Sequence, residues 1–109
     1  MRPFDQIPLE EWDQVMRVNV TGVFLCCRAV VPAMREARWG RIITMSSGSV
    51  AGGASNYLHY PTSKAAVIGL TRALARELGG FNIADFGIVG GLTEVLPLLA
   101  AEIRAARRA

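Results

Sequence analysis

A short strand-like run, a long helical pattern and a second apolar run follow one another in the later part of the chain. Residues 41–45 (Arg-Ile-Ile-Thr-Met) are rich in β-branched side chains, as is typical of a strand. Over residues 59–78 apolar side chains recur every three or four positions, which predicts a helix ending at the glycines 79–80. Residues 82–89 form the second strand-like run. This order and these lengths predict a βαβ unit with two parallel strands.

Another helical pattern precedes this unit. After an extended lead-in over residues 1–8, apolar residues recur at helical spacing from about Leu9, and Gly22 and Pro32 inside the pattern predict a bend or break. A third helix is expected from about Pro97, which suits a first turn. A parallel sheet needs cover on both faces, and these few elements supply only part of it. We therefore expect an α/β fold in which residues 1–109 form one partial domain.

Composition excludes several classes of protein. The chain has 109 residues, 51% of them hydrophobic and 19% charged, as expected for one small globular domain. The net charge of +3 comes from scattered arginines, and no recognition module accompanies them, so nucleic-acid binding is not expected. A single histidine and the adjacent Cys26 and Cys27 suit neither a metal cluster nor a disulfide. We expect both cysteines to be core residues in a reducing compartment.

The N-terminal region indicates a cytoplasmic protein. Acidic residues at positions 5, 10, 11 and 13 do not suit a signal peptide. We identify no run approaching the roughly 20 apolar residues that cross a bilayer. The sequence therefore predicts neither secretion nor membrane insertion.

The only lysine of the chain lies four residues after one of its two tyrosines. Tyr60 and Lys64 would share a helix face, so the ammonium can reach the phenol and the pair can perform proton chemistry. Ser47 lies thirteen residues before Tyr60, just after the first predicted strand. Open α/β sheets bind ligands at the carboxyl ends of their strands, where all three residues fall. Taken singly, the pair is also consistent with surface decoration, and Ser47 with a loop or cap residue.

Other polar and aromatic residues have structural interpretations. Asn19 lies inside the first helical pattern, where its side chain competes for backbone hydrogen bonds. His59 is expected to be solvated at a helix start. Trp12 and Trp39 are expected to be packing anchors.

Four segments together resemble the short-chain dehydrogenase/reductase family. They are residues 18–24 (Val-Asn-Val-Thr-Gly-Val-Phe), 42–48 (Ile-Ile-Thr-Met-Ser-Ser-Gly), 60–64 (Tyr-Pro-Thr-Ser-Lys) and the run 65–78. The resemblance covers about residues 4–95 and leaves 96–109 as a divergent helical tail. It implies part of a Rossmann-like, doubly wound fold, arranged as helix–βαβ–helix.

The resemblance also implies a catalytic tetrad of Asn19, Ser47, Tyr60 and Lys64. Tyr60 would exchange a proton with the substrate oxygen, and Ser47 would hold and polarise that oxygen. Lys64 would assist the tyrosine and bind the ribose of NAD or NADP, while Asn19 would support a water in the proton relay. Tyr60, Lys64 and Gly91 would contact the cofactor. The implied reaction is hydride transfer between nicotinamide and a small alcohol or carbonyl substrate.

The chain departs from the family pattern in two places. It contains no Gly-x-Gly-x-x-Gly turn, no family variant of that turn, and no residue that would select NAD or NADP. Near its end Asp85, Gly90 and Val95 replace an apolar residue, a proline and a threonine of the family. Without a second half to exclude water, one cation at 4 Å favours a phenolate by about 1 kcal/mol rather than about 4. We therefore expect the isolated chain to be a poor enzyme.

Three hypotheses follow from the sequence. The first is a catalytic segment that needs its cofactor-binding half from a longer chain or a partner. The second is a non-enzymatic interaction module, forming homo-oligomers through the two long helices over residues 9–38 and 59–78. The third is a truncated product without a role. Binding of NADH or NADPH and the oligomeric state separate these hypotheses.

Overall fold

The structure, a computed structural model, describes residues 1–88 together with Pro97, Ala100, Ala101 and Arg104, and gives side-chain surroundings for the continuous part as far as Ile83. The regular elements in residues 1–88 are α1 (Leu9–Met16), a π-helical turn (Arg17–Thr21), α2 (Gly22–Ala37), β1 (Gly40–Met45), α3 (Ser49–Gly52), α4 (His59–Leu78) and β2 (Ile83–Ile88). Short 3₁₀ turns lie at Phe4–Gln6 and Gly79–Phe81.

The two strands are parallel, as the sequence predicts. Gly40 pairs with Ile83, the register continues to Met45 opposite Ile88, and α4 forms the crossover. The second strand begins one residue later than expected because Asn82 has the left-handed φ of 59° and ends the preceding turn. Val89, the last residue of the predicted strand, lies outside the described residues.

A small apolar core lies between the sheet and the two long helices. Its buried members are Cys27, Ile42, Leu78 and Ile83, and its partly buried ones are Val23, Val31, Met34, Leu74 and Phe81. Burial of such side chains contributes about 25 cal/mol per Å² of apolar surface, which orients α2 and α4 on the sheet. The expectation for the cysteines is half right, since Cys27 is buried and Cys26 is exposed.

The first helical pattern is interrupted but does not stop. The π-helical turn directly precedes Gly22, whereas α2 continues through Pro32 to Ala37. Of the bend or break expected from Gly22 and Pro32, the structure has an interruption before Gly22 and no break at Pro32, because packing of this helix on the sheet outweighs the backbone hydrogen bond that proline removes.

The end of α2 is shaped by a close approach of two residues. Arg38 takes a left-handed φ of 51° and the Trp39 amide donates to Met34 O over 3.1 Å, which closes the helix. A Cβ on Gly40 would lie 2.5 Å from Met34 Sδ. Glycine is thus required where β1 begins. Trp39 is 59% exposed beneath the Arg41 guanidinium, so its predicted role as a packing anchor is wrong.

Length and hydropathy of the helical run Leu9–Ala37 are sufficient to cross a membrane, contrary to the sequence expectation. The run has 29 residues and includes a window of mean hydropathy 1.4 that is 6% buried. The core helices of soluble proteins share these two properties, and here Cys27 and Met34 from this run pack on the sheet. Length and hydropathy alone therefore do not assign this run to a membrane.

The C-terminal part contains several predicted features that lie outside the described residues. Gly90, Gly91 and Val95 are among them, as is the side chain of Asp85. Of the tail from residue 96 onward, Pro97, Ala100, Ala101 and Arg104 are described, and each is helical.

Candidate active site

Lys64 connects the second turn of α4 to the end of β1. Its Nζ donates a hydrogen bond to Met45 O over 3.2 Å. In the opposite direction, Ser46 Oγ donates to Lys64 O over 2.9 Å. These two bonds hold the first turns of α4 against the carboxyl end of the strand, where open α/β sheets bind ligands.

The Tyr60 ring lies close to this ammonium. Lys64 Nζ is 5.8 Å from the ring centroid, within the range of an attractive cation–π contact. Tyr57 stacks on the Tyr60 ring, with 4.9 Å between the ring centroids and 19° between the ring planes. Both Tyr60 and Lys64 are half-buried, so they remain reachable from solvent or by a ligand.

Ser47 is held as a hydrogen-bond donor. Its Oγ accepts two hydrogen bonds from Ser49, one from the backbone amide at 3.3 Å and one from the hydroxyl at 3.0 Å. A serine hydroxyl has two acceptor positions and one proton. With both acceptor positions occupied, the remaining hydrogen-bonding capacity of Ser47 is its proton, which suits donation to a carbonyl or alkoxide oxygen.

Asn19 reaches the helix of Tyr60 from the π-helical turn. Its Nδ2 donates to Ser63 Oγ over 2.9 Å, and Ser63 Oγ donates to Tyr60 O over 2.7 Å. Tyr60 and Lys64 lie on α4, and these bonds connect Asn19 to the same helix. Ser47, the fourth member of the predicted tetrad, directly follows Ser46, which donates a hydrogen bond to α4.

Ser63 and Ser46 are site residues that the sequence reasoning missed. Ser63 is completely buried, on a face of α4 shared with His59, Val67, Thr71 and Leu78. The sequence did contain a signal for Ser63, because this serine occupies a position of the helical repeat at which an apolar residue is expected. For Ser46, next to the predicted Ser47, the sequence offered no signal because its partner is a backbone carbonyl on another element.

His59 is buried, which corrects the expectation of a solvated residue. It is 3% exposed, and its Nε2 lies 2.9 Å from Glu11 Oε1 on α1. The other oxygen of that carboxylate forms an ion pair with Arg2 Nε at 3.2 Å. Among the described residues, His59 Nδ1 has no hydrogen-bond partner. The contact fastens the start of α4, one residue before Tyr60, to α1.

An open groove of about 610 Å³ runs between α2 and β1, with Lys64 and Met45 in its lining. One of the three Lys64 N–H donors is used on Met45 O, which leaves donors at the groove for sugar hydroxyls. Lys64 is thus the group in this groove that suits a ribose hydroxyl, whereas most of the other lining side chains are apolar. The residues present do not supply a Gly-rich pyrophosphate cradle, because the sequence contains none, and the predicted contact Gly91 lies outside the described residues.

No cluster of three or more metal-ligating side chains occurs in the part of the chain that the structure describes. Proton transfer and hydrogen bonding are the chemistry that these residues themselves can perform.

A family model described as short chain dehydrogenase matches residues 1–106. The chain belongs to this family. Among curated short-chain dehydrogenases and reductases, it is 35% identical over 103 residues to the 3-oxoacyl-(acyl-carrier-protein) reductase FabG of Aquifex aeolicus, covering 93% of this chain and 42% of that protein. The FabG of Thermotoga maritima is 40% identical over 103 residues, with 90% and 42% covered. The chain thus spans about two fifths of the length of these relatives.

Solved structures of short-chain dehydrogenases share the arrangement of elements. Full-length peroxisomal multifunctional enzyme type 2 from Drosophila melanogaster matches with a TM-score of 0.80 at 31% identity, covering 83% of this chain and 17% of that one. A gluconate 5-dehydrogenase from Burkholderia cenocepacia, in complex with NADP and tartrate, matches with a TM-score of 0.78 at 29% identity, covering 80% and 34%. The two FabG proteins and the gluconate 5-dehydrogenase are oxidoreductases by name, and the family generally uses NAD(P).

Proposed function

We propose that this chain is the catalytic segment of an NAD(P)-dependent oxidoreductase that interconverts a small alcohol and its carbonyl compound. The observation that carries the proposal is the Lys64 hydrogen bond to Met45 O, which holds the helix of Tyr60 at the carboxyl end of β1. In the whole protein we infer a Rossmann-like, doubly wound sheet in which residues 1–109 form one part.

Each member of the tetrad has a separate task. In the direction of carbonyl reduction, the Tyr60 phenol gives its proton to the substrate oxygen, and it takes one back in alcohol oxidation. Ser47 donates a hydrogen bond to that oxygen, since Ser49 occupies its acceptor positions. Lys64 lies against the Tyr60 ring and contacts the ribose, and Asn19 acts from the π-helical turn. A bound NAD or NADP supplies or accepts the hydride.

A cofactor half must come from outside these 109 residues, either from a longer chain or from a partner. The proposal therefore predicts that the isolated chain shows no detectable turnover of a ketone with NADH or NADPH. A direct test is a hybrid reductase, in which this chain replaces the 103 matched residues of the Aquifex aeolicus relative. The hybrid should oxidise NADH or NADPH in the presence of a 3-oxoacyl thioester, the substrate class in that relative's name. A folded hybrid that binds the cofactor without turnover would contradict the proposal.

A second function, self-association through the long helices, is favoured by exposed apolar side chains on α2 and the π-helical turn. Val18 is 65% exposed and Phe24 is 49% exposed. Exposed apolar surface of this kind marks interaction sites. We propose that the protein forms homo-oligomers through these helices. Sedimentation of the isolated chain tests this: a defined oligomer that binds no cofactor favours an interaction module, a monomer contradicts it, and aggregation favours a truncated product.

A cytoplasmic location belongs to the same proposal. Cys26 and Cys27 are adjacent in the sequence, which does not suit a structural disulfide between them and is consistent with a reducing compartment. The proposed partners are a small alcohol or carbonyl compound and further copies of the chain, and they include neither nucleic acid nor a membrane.

A further inference from the structure

Ser63, on α4, forms hydrogen bonds both to the π-helical turn and to the backbone of Tyr60 in its own helix. Its side chain is 0% exposed, and its hydroxyl has one partner on each side. Asn19 Nδ2 donates to it over 2.9 Å, and it donates to Tyr60 O over 2.7 Å. A hydroxyl can accept and donate at once. The Ser63 oxygen therefore connects Asn19, which lies 44 positions earlier in the sequence, to Tyr60 in the first turn of α4.

The π-helical turn explains how Asn19 faces α4. A π-helical turn places an extra residue in the helical path and shifts the side chains around it relative to an α-helix, and such turns are frequent at functional sites. Asn19 lies in the middle of Arg17–Thr21. Beyond this turn, α2 places Cys27 in the core and so keeps its own packing on the sheet. The π-helical turn thus directs the Asn19 side-chain amide toward α4.

We propose that Ser63 is a positioning residue, through which Asn19 sets the position of Tyr60 in the site. The catalytic role of the site rests on the proposed function, whereas the hydrogen-bonded coupling of Asn19, Ser63 and Tyr60 does not. Asn19 then acts on Tyr60 through a buried hydroxyl and the Tyr60 carbonyl. The connection holds the backbone of the first turn of α4, from which the Tyr60 side chain extends next to Lys64.

The chain contains a matched control for Ser63. The neighbouring Thr62 also donates its hydroxyl to a backbone carbonyl, that of Leu58 just before α4, over 2.7 Å, but it is exposed. Thr62→Ala removes this local hydroxyl bond without touching Asn19. Ser63→Ala removes the connection, and Ser63→Thr keeps a hydroxyl at the same position.

The test is the NMR spectrum of the isotope-labelled chain, which needs no turnover. Ser63→Ala should shift the Asn19 side-chain amide signals and the Tyr60 ring signals. Ser63→Thr should return both toward their original positions, and Thr62→Ala should move neither. Unchanged Tyr60 signals in folded Ser63→Ala, or equal changes in Thr62→Ala, would overturn the proposal.

Asn19→Ala makes the same test from the other end and covers the case in which Ser63→Ala does not fold. It should move the Tyr60 ring signals in the parent chain, and in the Ser63→Thr background by a similar amount. If Tyr60 does not respond to Asn19→Ala in either background, Ser63 does not couple the two residues. Failure of the hybrid reductase to turn over, with the NMR coupling intact, would overturn the proposed function alone.

Discussion

Lys64 Nζ and Met45 O are joined by a hydrogen bond of 3.2 Å across 19 residues of sequence. The bond fixes the only lysine of the chain at the carboxyl end of β1, one helical turn from Tyr60. A four-residue spacing on one helix would be satisfied equally well on a solvent-facing surface. The contact with the strand end is what places the pair at the edge where a ligand can bind.

Replacing Lys64 by methionine should lower turnover of the hybrid reductase. The apolar stem is kept while the ammonium is lost, and a unit charge 4 Å from a reacting group is worth about 1–4 kcal/mol depending on solvent access, or about fivefold to a thousandfold in rate. Steady-state kinetics with NADH and NADPH measure the effect. Arg72→Met, on an exposed part of the same helix, is the matched control and should retain activity.

Ser47→Ala and Ser49→Ala should reduce turnover to different extents. Loss of Ser47 removes the donor to the substrate oxygen, and loss of one such donor costs about a hundredfold to a thousandfold. Loss of the Ser49 hydroxyl leaves the Ser47 donor in place but frees one of its two acceptor positions, since the Ser49 amide still donates, so we expect about a tenfold loss in kcat. Equal effects of the two substitutions would contradict the assigned orientation of Ser47.

Glu11→Ala should destabilise the chain more than Glu10→Ala. Both glutamates lie in the first turn of α1, so both interact with the helix dipole to a similar extent. Of the two, Glu11 is hydrogen-bonded to buried His59 and ion-paired with Arg2, and leaving a buried polar group without its partner costs about 1–3 kcal/mol. Urea unfolding followed by circular dichroism measures the difference, and equal midpoints would show that this contact adds nothing.

Thr71→Val should also lower the free energy of unfolding, by about 1 kcal/mol. Thr71 donates to Val67 O over 2.7 Å, so its single proton is used and Thr44 is the donor in the buried 2.6 Å contact between the two hydroxyls. Thr62→Val, at an exposed position of the same helix, should change stability by less than about 0.5 kcal/mol. The same urea titration tests the pair, and a larger effect at Thr62 would be the contrary result.

Periodicity and β-branching were sufficient to predict α4 and the parallel pairing of the two strands, because local sequence patterns report these features. The helix His59–Leu78 has the bounds that the sequence indicated. Patterns did not predict that α2 would pass through Pro32, since packing against the sheet decides that outcome.

Contacts between residues far apart in the sequence could not be predicted from the sequence pattern. His59 was expected in solvent because its partner Glu11 lies 48 positions away. Ser63 was overlooked because its role depends on the position of Asn19 in a π-helical turn, and the pattern suggested only a bend or break in this helix. Sequence spacing indicated the tetrad, whereas the bonds that support it came from tertiary structure.

The most direct test of the central claim compares the only two tyrosines of the chain in the hybrid reductase. Tyr57 and Tyr60 stack on one another, so Tyr57→Phe and Tyr60→Phe each remove one phenol hydroxyl from the same local environment. A positioned general acid or base contributes about a hundredfold to ten-thousandfold to a rate. We predict a loss of this size in kcat for Tyr60→Phe, and nearly unchanged turnover for Tyr57→Phe. Full turnover in Tyr60→Phe would contradict the account.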